Sequence, residues 1–349
     1  MAVELSVVRD RAPSGGARRA ADGVDSAPPS VAEPADALVA HSIEELDRCE
    51  WDSLFRDELE NWNYLRALER SELEHCDPMY FAIRSRGRLV AAAPGFLGRR
   101  VLGEPWRGSS RTRWRRARER TLVLGSPLSA AFPVGLAARA TAAEQASLVK
   151  SMARVARAEA ARLGVDRVLV SGEHAARGES PRRFGPSLWR PRARHGTTVR
   201  LSLPPWSFSD YLSCLDEPLR GQVLRVCAQA APYGRDWHVD LDRDVGPMLA
   251  LCREDGLDEL NSAYFENLLG PGVCASCLLV RLDGKLAGFS LLLHDARASR
   301  EKLTIVSRRV EGALVRALIW LETIRFCLEA GIGTYESASE LSLAAARPD

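Results

Sequence analysis

The chain has 349 residues, 46% of them apolar and 27% charged, and a formal net charge of +2. That is enough apolar side chain for about two domains with ordinary cores. A charge so near zero excludes a polyanion-binding surface over the whole chain. No apolar run approaches the ~20 residues of a membrane-spanning helix.

The opening MAVELSVVRDRAPSGG lacks the charged-then-apolar order of a secretory signal, which sets a cytoplasmic expectation. Residues 11–36 are rich in Ala, Pro, Gly and Ser without an apolar period, so residues 1–36 are expected to form a disordered tail. The eight cysteines are scattered through regular-looking segments. Cys274-x-x-Cys277 has no second pair and enters an apolar run, which reads as free cysteine in a core and gives no metal site.

Structure is expected from about residue 37. Ser42 with Glu45 forms a capping box ahead of a helical region that runs through WDSLF and NWNYLRALERSEL. PMYFAIRSRGRLVAAAPGFL alternates and turns at Gly87, which predicts a hairpin. A helix (148–163) then ends at Gly164 before a short strand, VLVSGE. In the second part Ser207 or Ser209 caps a helix entry at DYLSCL. WHVDLDRDVG, with Val239 and Leu241 alternating, predicts a strand with Asp240 and Asp242 facing outward. Its Asp-x-Asp-x-Asp spacing fails as a calcium loop at Val245 and Leu251. Two apolar runs meet at Asp283-Gly284, a strong hairpin signal. A third run, an apolar helix through Leu314, Leu318, Leu321, Ile324 and Leu328, a stop at Gly331 and a last strand complete the chain.

The order helices, hairpin, strand, helix, glycine, strand therefore occurs twice. RSRGRLVAAAP parallels RLDGKLAGFSLLL, and residues 148–173 parallel 313–337. The fold class is α/β: two tandem halves, 37–195 and 196–349, each a mixed twisted sheet flanked by helices.

Several segments resemble one family. LETIRFCLEAG with Glu336 five residues on, Leu65, Ala67, Leu68, Glu69 and Ser71 in NWNYLRALERS, Ser171 and His174 in SGEH, and Phe208, Asp210, Tyr211 and Leu212 in SFSDYL are similar to the FemAB-like ("peptidogalycan biosynthesis/recognition") branch of the GNAT acyltransferase superfamily. The resemblance spans nearly all of 37–349 and implies two GNAT-like halves and amide-forming acyl transfer. The chain departs from the family at Arg200-Leu201, where a His-Trp pair is usual. A basic run is thinned to Arg220 and Arg225, and SASELSLAAARPD stands where a terminal Glu-His-Lys group is usual. These departures imply a different acceptor.

Acyl transfer of this kind needs a proton acceptor for the attacking amine and an anion site for the donor. His174, at the end of a strand, and Glu336, at the end of the matching strand, are the candidate catalytic groups. Arg308, Arg309 and Gly312, at the start of the apolar helix, are the candidate donor-binding residues, since helix N-termini favour anions. His195 and the His294-Asp295 pair are assigned no role. The stretch 98–120 is dense in arginine, with Trp106, Trp114 and no lysine. Arg113, Arg115 and Arg116 are read there as docking a macromolecular donor.

The resemblance implies donors held on macromolecules, and the chain has no long charged heptad insertion of the kind carried by tRNA-using bridge enzymes. The expectation is therefore an acyl carrier protein, whose phosphopantetheine arm serves as co-substrate, and a small-molecule amine acceptor. No covalently bound cofactor, no metal, no DNA and no membrane are expected. Aminoacyl-tRNA or acetyl-CoA as donor, and a non-catalytic binding protein, are the alternatives.

Overall fold

The computed structural model describes residues 36–56, 58–74, 76–98, 120–128, 133–165, 168–170 and 199–337. Most of the expected tail, the arginine-dense stretch with Arg113, Arg115 and Arg116, the segment carrying His174, and the chain after Ser337 lie outside the described residues.

Each half is built on one sheet. In the first, β1 (Asp36–Ala40), β2 (Cys76–Ser85), β3 (Arg88–Gly98), β4 (Thr121–Leu124) and β6 (Val168–Val170) are adjacent in that order, and β5 (Gly135–Leu136) pairs with β3. In the second the order is β7 (Val199–Ser202), β12 (Thr334–Ser337), β11 (Ala298–Val306), β10 (Lys285–His294), β9 (Ala275–Leu282) and β8 (Tyr233–Asp236). The helices are α1 (Arg48–Leu54), α2 (Trp62–Arg70) and α3 (Ala142–Arg162) in the first half. In the second they are α4 (Phe208–Cys214), α5 (Glu217–Gln229), α6 (Leu241–Glu254), α7 (Ser262–Leu268) and α8 (Gly312–Glu329).

The duplication read from element order extends to detail. Both hairpins turn through two consecutive residues of positive φ, Arg86-Gly87 (51° and 75°) and Asp283-Gly284 (50° and 75°), as a type I′ turn requires. In each, the third residue after the turn glycine, Val90 or Ala287, is an extra residue in the ladder. β4 and β6 are parallel and joined through α3, as β11 and β12 are through α8. Gly164 (φ 64°) and Gly331 (φ 71°) end these two helices in the same way. The N–H of the following residue returns to a helix carbonyl, Val165 to Ala160 and Ile332 to Cys327, both at 2.8 Å, the left-handed helix end that glycine makes accessible.

A further equivalence lies at the helix starts. Asn61 caps α2 by accepting from Tyr64 N–H (3.1 Å), and Asn261 caps α7 by accepting from Tyr264 N–H (2.9 Å). The two helices pack on each other across the halves. Asn261 Nδ2 donates to the Ser71 carbonyl at 2.7 Å, and Trp51, Tyr64, Tyr264, Phe265 and Phe289 share one core. That core joins the halves, while a second lies between the second sheet and α8, around Trp320, Ile324 and Tyr335.

One expectation is corrected. The segment at Asp240 is not a strand: Asp240 is the N-cap of α6 and Asp242 lies in its first turn. The Asp240 side chain accepts from Arg243 N–H (3.3 Å), and Asp244 accepts from Asp240 N–H (3.1 Å). Two alternating apolar residues are too short a signal against such local side-chain capping. Asp244 itself is fully buried against Arg281 (2.6 Å) and Arg243 (2.9 Å).

Candidate active site

Among the described residues, β11 and β12 are paired over Ala298–Arg300 against Thr334–Glu336, and β12 is described as far as Ser337. β11 runs on from Glu301 to Val306 past that pairing, and this stretch of its edge, the wedge, faces the side on which β12 lies. The chain then turns at Arg308 and Arg309 and enters α8 at Gly312. The N-cap residue Glu311 makes no side-chain cap hydrogen bond, leaving the first N–H groups of α8 without that partner.

A β-bulge marks the apex of the wedge. Leu291 of β10 is opposite Leu303, but its neighbour Leu292 is opposite Glu301, so Lys302 is an extra residue in β11. An inserted residue reverses the alternation of faces. Before it, Glu301 faces α8, where Tyr335 lies, and Arg300 and Lys302 face the first half. After it, Leu303 and Ile305 face the first half and Val306 packs toward α8. Lys302 and Leu303, adjacent in sequence, thus share a face.

Glu301 is the first residue of β11 beyond its pairing with β12. Its Oε2 accepts from the Tyr335 hydroxyl (3.1 Å) and the Ser337 hydroxyl (2.6 Å), both on β12. Burial raises the Tyr335 phenol far above its ordinary range, so it remains a donor. Among the described residues no arginine or lysine pairs with Glu301.

The sequence-selected residues fall in two places. Arg308, Arg309 and Gly312 lie together at the mouth of α8. Arg309 is largely solvent-exposed and reaches Glu254 at 3.3 Å. A Cβ at Gly312 would meet nothing closer than Val306 at 3.9 Å among the described residues. Glu336 is at the other end of β11, on the order of 20 Å away by strand rise. Both its oxygens are taken, Oε2 by Arg300 (2.7 Å) and Oε1 by Arg200 (3.3 Å). The structure therefore does not bring Glu336 together with the α8 residues. His294, left without a role, bonds Ser276 at 2.9 Å, and burial lowers its pKa.

Sequence reading missed the charged contacts between the halves. The segment leading into α2 runs beside β11 in three rungs. Arg297 donates to the Arg56 carbonyl (2.8 Å), Arg300 pairs with Glu58 (3.0 Å), and Lys302 pairs with Glu60 (2.7 Å). The third rung is buried at both ends, with side chains 1% and 0% exposed. The other Glu60 oxygen accepts the Ser126 hydroxyl. The Lys302 ammonium lies over the Tyr64 ring, 5.1 Å from its centroid. Burial pushes the Glu60 carboxyl up, but Lys302, Ser126 and Arg300 outweigh it and leave its pKa below the ordinary value. Burial lowers that of Lys302.

The bulge on β11 and the uncapped start of α8 are features that the GNAT resemblance leads one to expect beside an acyl donor. Comparison with family models gives no match, and neither does comparison with curated proteins. Solved structures similar to the chain include a tandem GNAT protein from the clavulanic acid biosynthesis pathway (14% identity, 87% of this chain and 89% of that one, TM-score 0.46). FemX is also similar (13% identity, 86% and 88%, TM-score 0.48). So is the C-terminal domain of a putative lysylphosphatidylglycerol synthetase from Agrobacterium fabrum (15% identity, 84% and 78%, TM-score 0.43). The division into two similar α/β halves rests on the chain's own strand order and its paired turns, bulges and helix ends.

Proposed function

We propose that the chain is an N-acyltransferase that forms an amide on a small-molecule amine, taking the acyl group from a carrier-protein thioester through its phosphopantetheine arm. The observation that carries this reading is the bulged stretch of β11 from Glu301 to Val306, unpaired with β12 among the described residues, which leads to the uncapped start of α8. The donor arm fits along the wedge with its phosphate at Arg308, Arg309 and Gly312. The acyl carbonyl then meets β11 near the bulge, where one residue is free of the ladder and its N–H can support the oxyanion. The neutral amine attacks the carbonyl, its proton passes to a base, and the thiolate leaves. Glu301 suits the base because its position is fixed by Tyr335 and Ser337 while, among the described residues, no cation holds it. His174 is the second candidate. Glu336, held by two arginines, suits ordering of β12 better. Among the described residues no helix is long and apolar enough to cross a membrane.

The donor class is tested through the arginine-dense stretch. Replacing Arg113, Arg115 and Arg116 by Glu is expected to slow transfer from the carrier-loaded donor by roughly 10–10³-fold through the on-rate, with a flatter salt dependence. Transfer from an N-acetylcysteamine thioester should be unchanged. Equal loss with both donors would remove the docking role. Activity confined to an aminoacyl-tRNA donor, with steep salt dependence, would put tRNA in the carrier's place.

A further inference from the structure

The rungs between the segment 56–60 and β11 connect the first half to the one strand of the second half on which the proposed reaction depends. Glu58 and Glu60 lie two residues apart, as do Arg300 and Lys302, so the two stretches run in register. The registered contacts end at the inserted residue, and the last is the most buried. Lys302 has no acceptor but Glu60 among the described residues. Glu60 is fixed in turn by Ser126, just beyond β4 of the first sheet. Tyr64 and Tyr264, one from each half and both 0% exposed, close the site, and the Tyr264 hydroxyl has no hydrogen-bond partner among the described residues.

A bulge is an adjustable feature, because a strand can absorb its extra residue at neighbouring positions. A buried ammonium inserted at one position removes that freedom, since sliding by one residue would leave two charges buried and unpaired. Apolar packing alone would not fix it: Leu303 and Ile305 face the same core and could exchange places with a similar residue at modest cost.

We infer that Glu60 and Lys302 are positioning residues: through this pair the first half pins the bulge of β11 and so sets where the backbone N–H groups and Glu301 stand in the wedge of the second half. The first half is then part of the acyl-transfer centre without touching the acyl group. This inference rests on the proposed acyltransferase reading for its kinetic consequence but not for its structural one.

The test compares Glu60→Leu and Lys302→Met singly and together. Each single change removes the ion-pair partner of a buried charge and is expected to unfold much of the protein or lower its Tm markedly. The double change replaces the pair by two apolar groups and is expected to recover most of that Tm. Two readouts are then taken on the folded double variant. Amide hydrogen exchange over residues 300–304 should be at least about tenfold faster than in the unmodified protein. Amine-dependent thiol release from an N-acetylcysteamine thioester should fall by about 10²-fold in kcat with little change in KM, as misplacement of reacting groups implies. Unchanged exchange in the stable double variant overturns the inference, whatever the activity. Full recovery of kcat together with Tm also overturns it, because a pair that merely held the halves together would be replaceable. Faster exchange in a protein whose unmodified form transfers no acyl group would uphold the pinning and sink the acyltransferase reading instead.

Discussion

Replacing Glu301 by Gln is expected to lower turnover by roughly 10²–10⁴-fold, the usual contribution of a positioned general base. Gln has the same shape and can still accept from Tyr335 and Ser337, so the apex of the wedge should keep its form. Donor KM should therefore change little, and the loss should fall on kcat. His174→Ala offers the contrast: near-normal turnover there, with collapse in Glu301→Gln, assigns the proton to Glu301. The reverse pattern moves it to His174. Tyr335→Phe, which removes one of the two hydroxyls holding Glu301, should cause a smaller loss.

Asp244→Asn is expected to destabilise the fold by about 3 kcal/mol, or roughly 6–12 °C in Tm. The carboxylate is buried and accepts from both Arg243 and Arg281, and it also takes the N–H of Asp240 at the start of α6. These bonds, above all that from Arg243, hold the Asp244 pKa at about 2. A carboxyl lowered on folding contributes stability that is fully present above its unfolded value of ~3.9 and is lost as pH falls through about 2. Acid titration of unfolding should therefore show a component between these limits that Asp244→Asn lacks. Asp242, exposed in the same turn, should tolerate the same change within about 0.5 kcal/mol. Equal effects at the two positions would mean that burial of Asp244 is not what matters.

Much of the fold is legible in the sequence where one residue dictates local backbone. Asp283-Gly284 and Gly87 announce hairpins because the turn needs positive φ, and Gly164 and Gly331 announce helix ends for the same reason. Capping at Ser42 and Ser207 is legible too, since hydroxyl and carboxylate sit three residues apart. Asp240 is an N-cap residue type as well, a stronger signal than the alternation of Val239 and Leu241. Asn61-x-x-Tyr64 and Asn261-x-x-Tyr264 are a further repeat legible in the sequence.

The candidate site is less legible for a physical reason. Glu60 and Lys302 are single charged residues 242 positions apart, and nothing local distinguishes them from solvated charges. Their partnership exists only once two halves dock. The bulge leaves a faint trace, the shift within ASREKLTIV from polar to apolar residues, but its position is decided by pairing with β10 and by Glu60 across the interface. Glu336 drew notice by ending a strand. Its two arginine partners, one from β11 and one from β7, are visible only in three dimensions.

The proposed reaction places a pantetheine-borne acyl group along β11 between Glu301 and Val306. A carrier protein bearing a photoreactive acyl-phosphopantetheine arm tests it without knowledge of the acceptor. After irradiation and peptide mapping, the arm should label residues 301–306 of β11 and the start of α8 near Gly312, and an excess of unlabelled acyl-carrier should suppress the labelling. Labelling that is confined to the first sheet, or that the unlabelled carrier does not suppress, would contradict it.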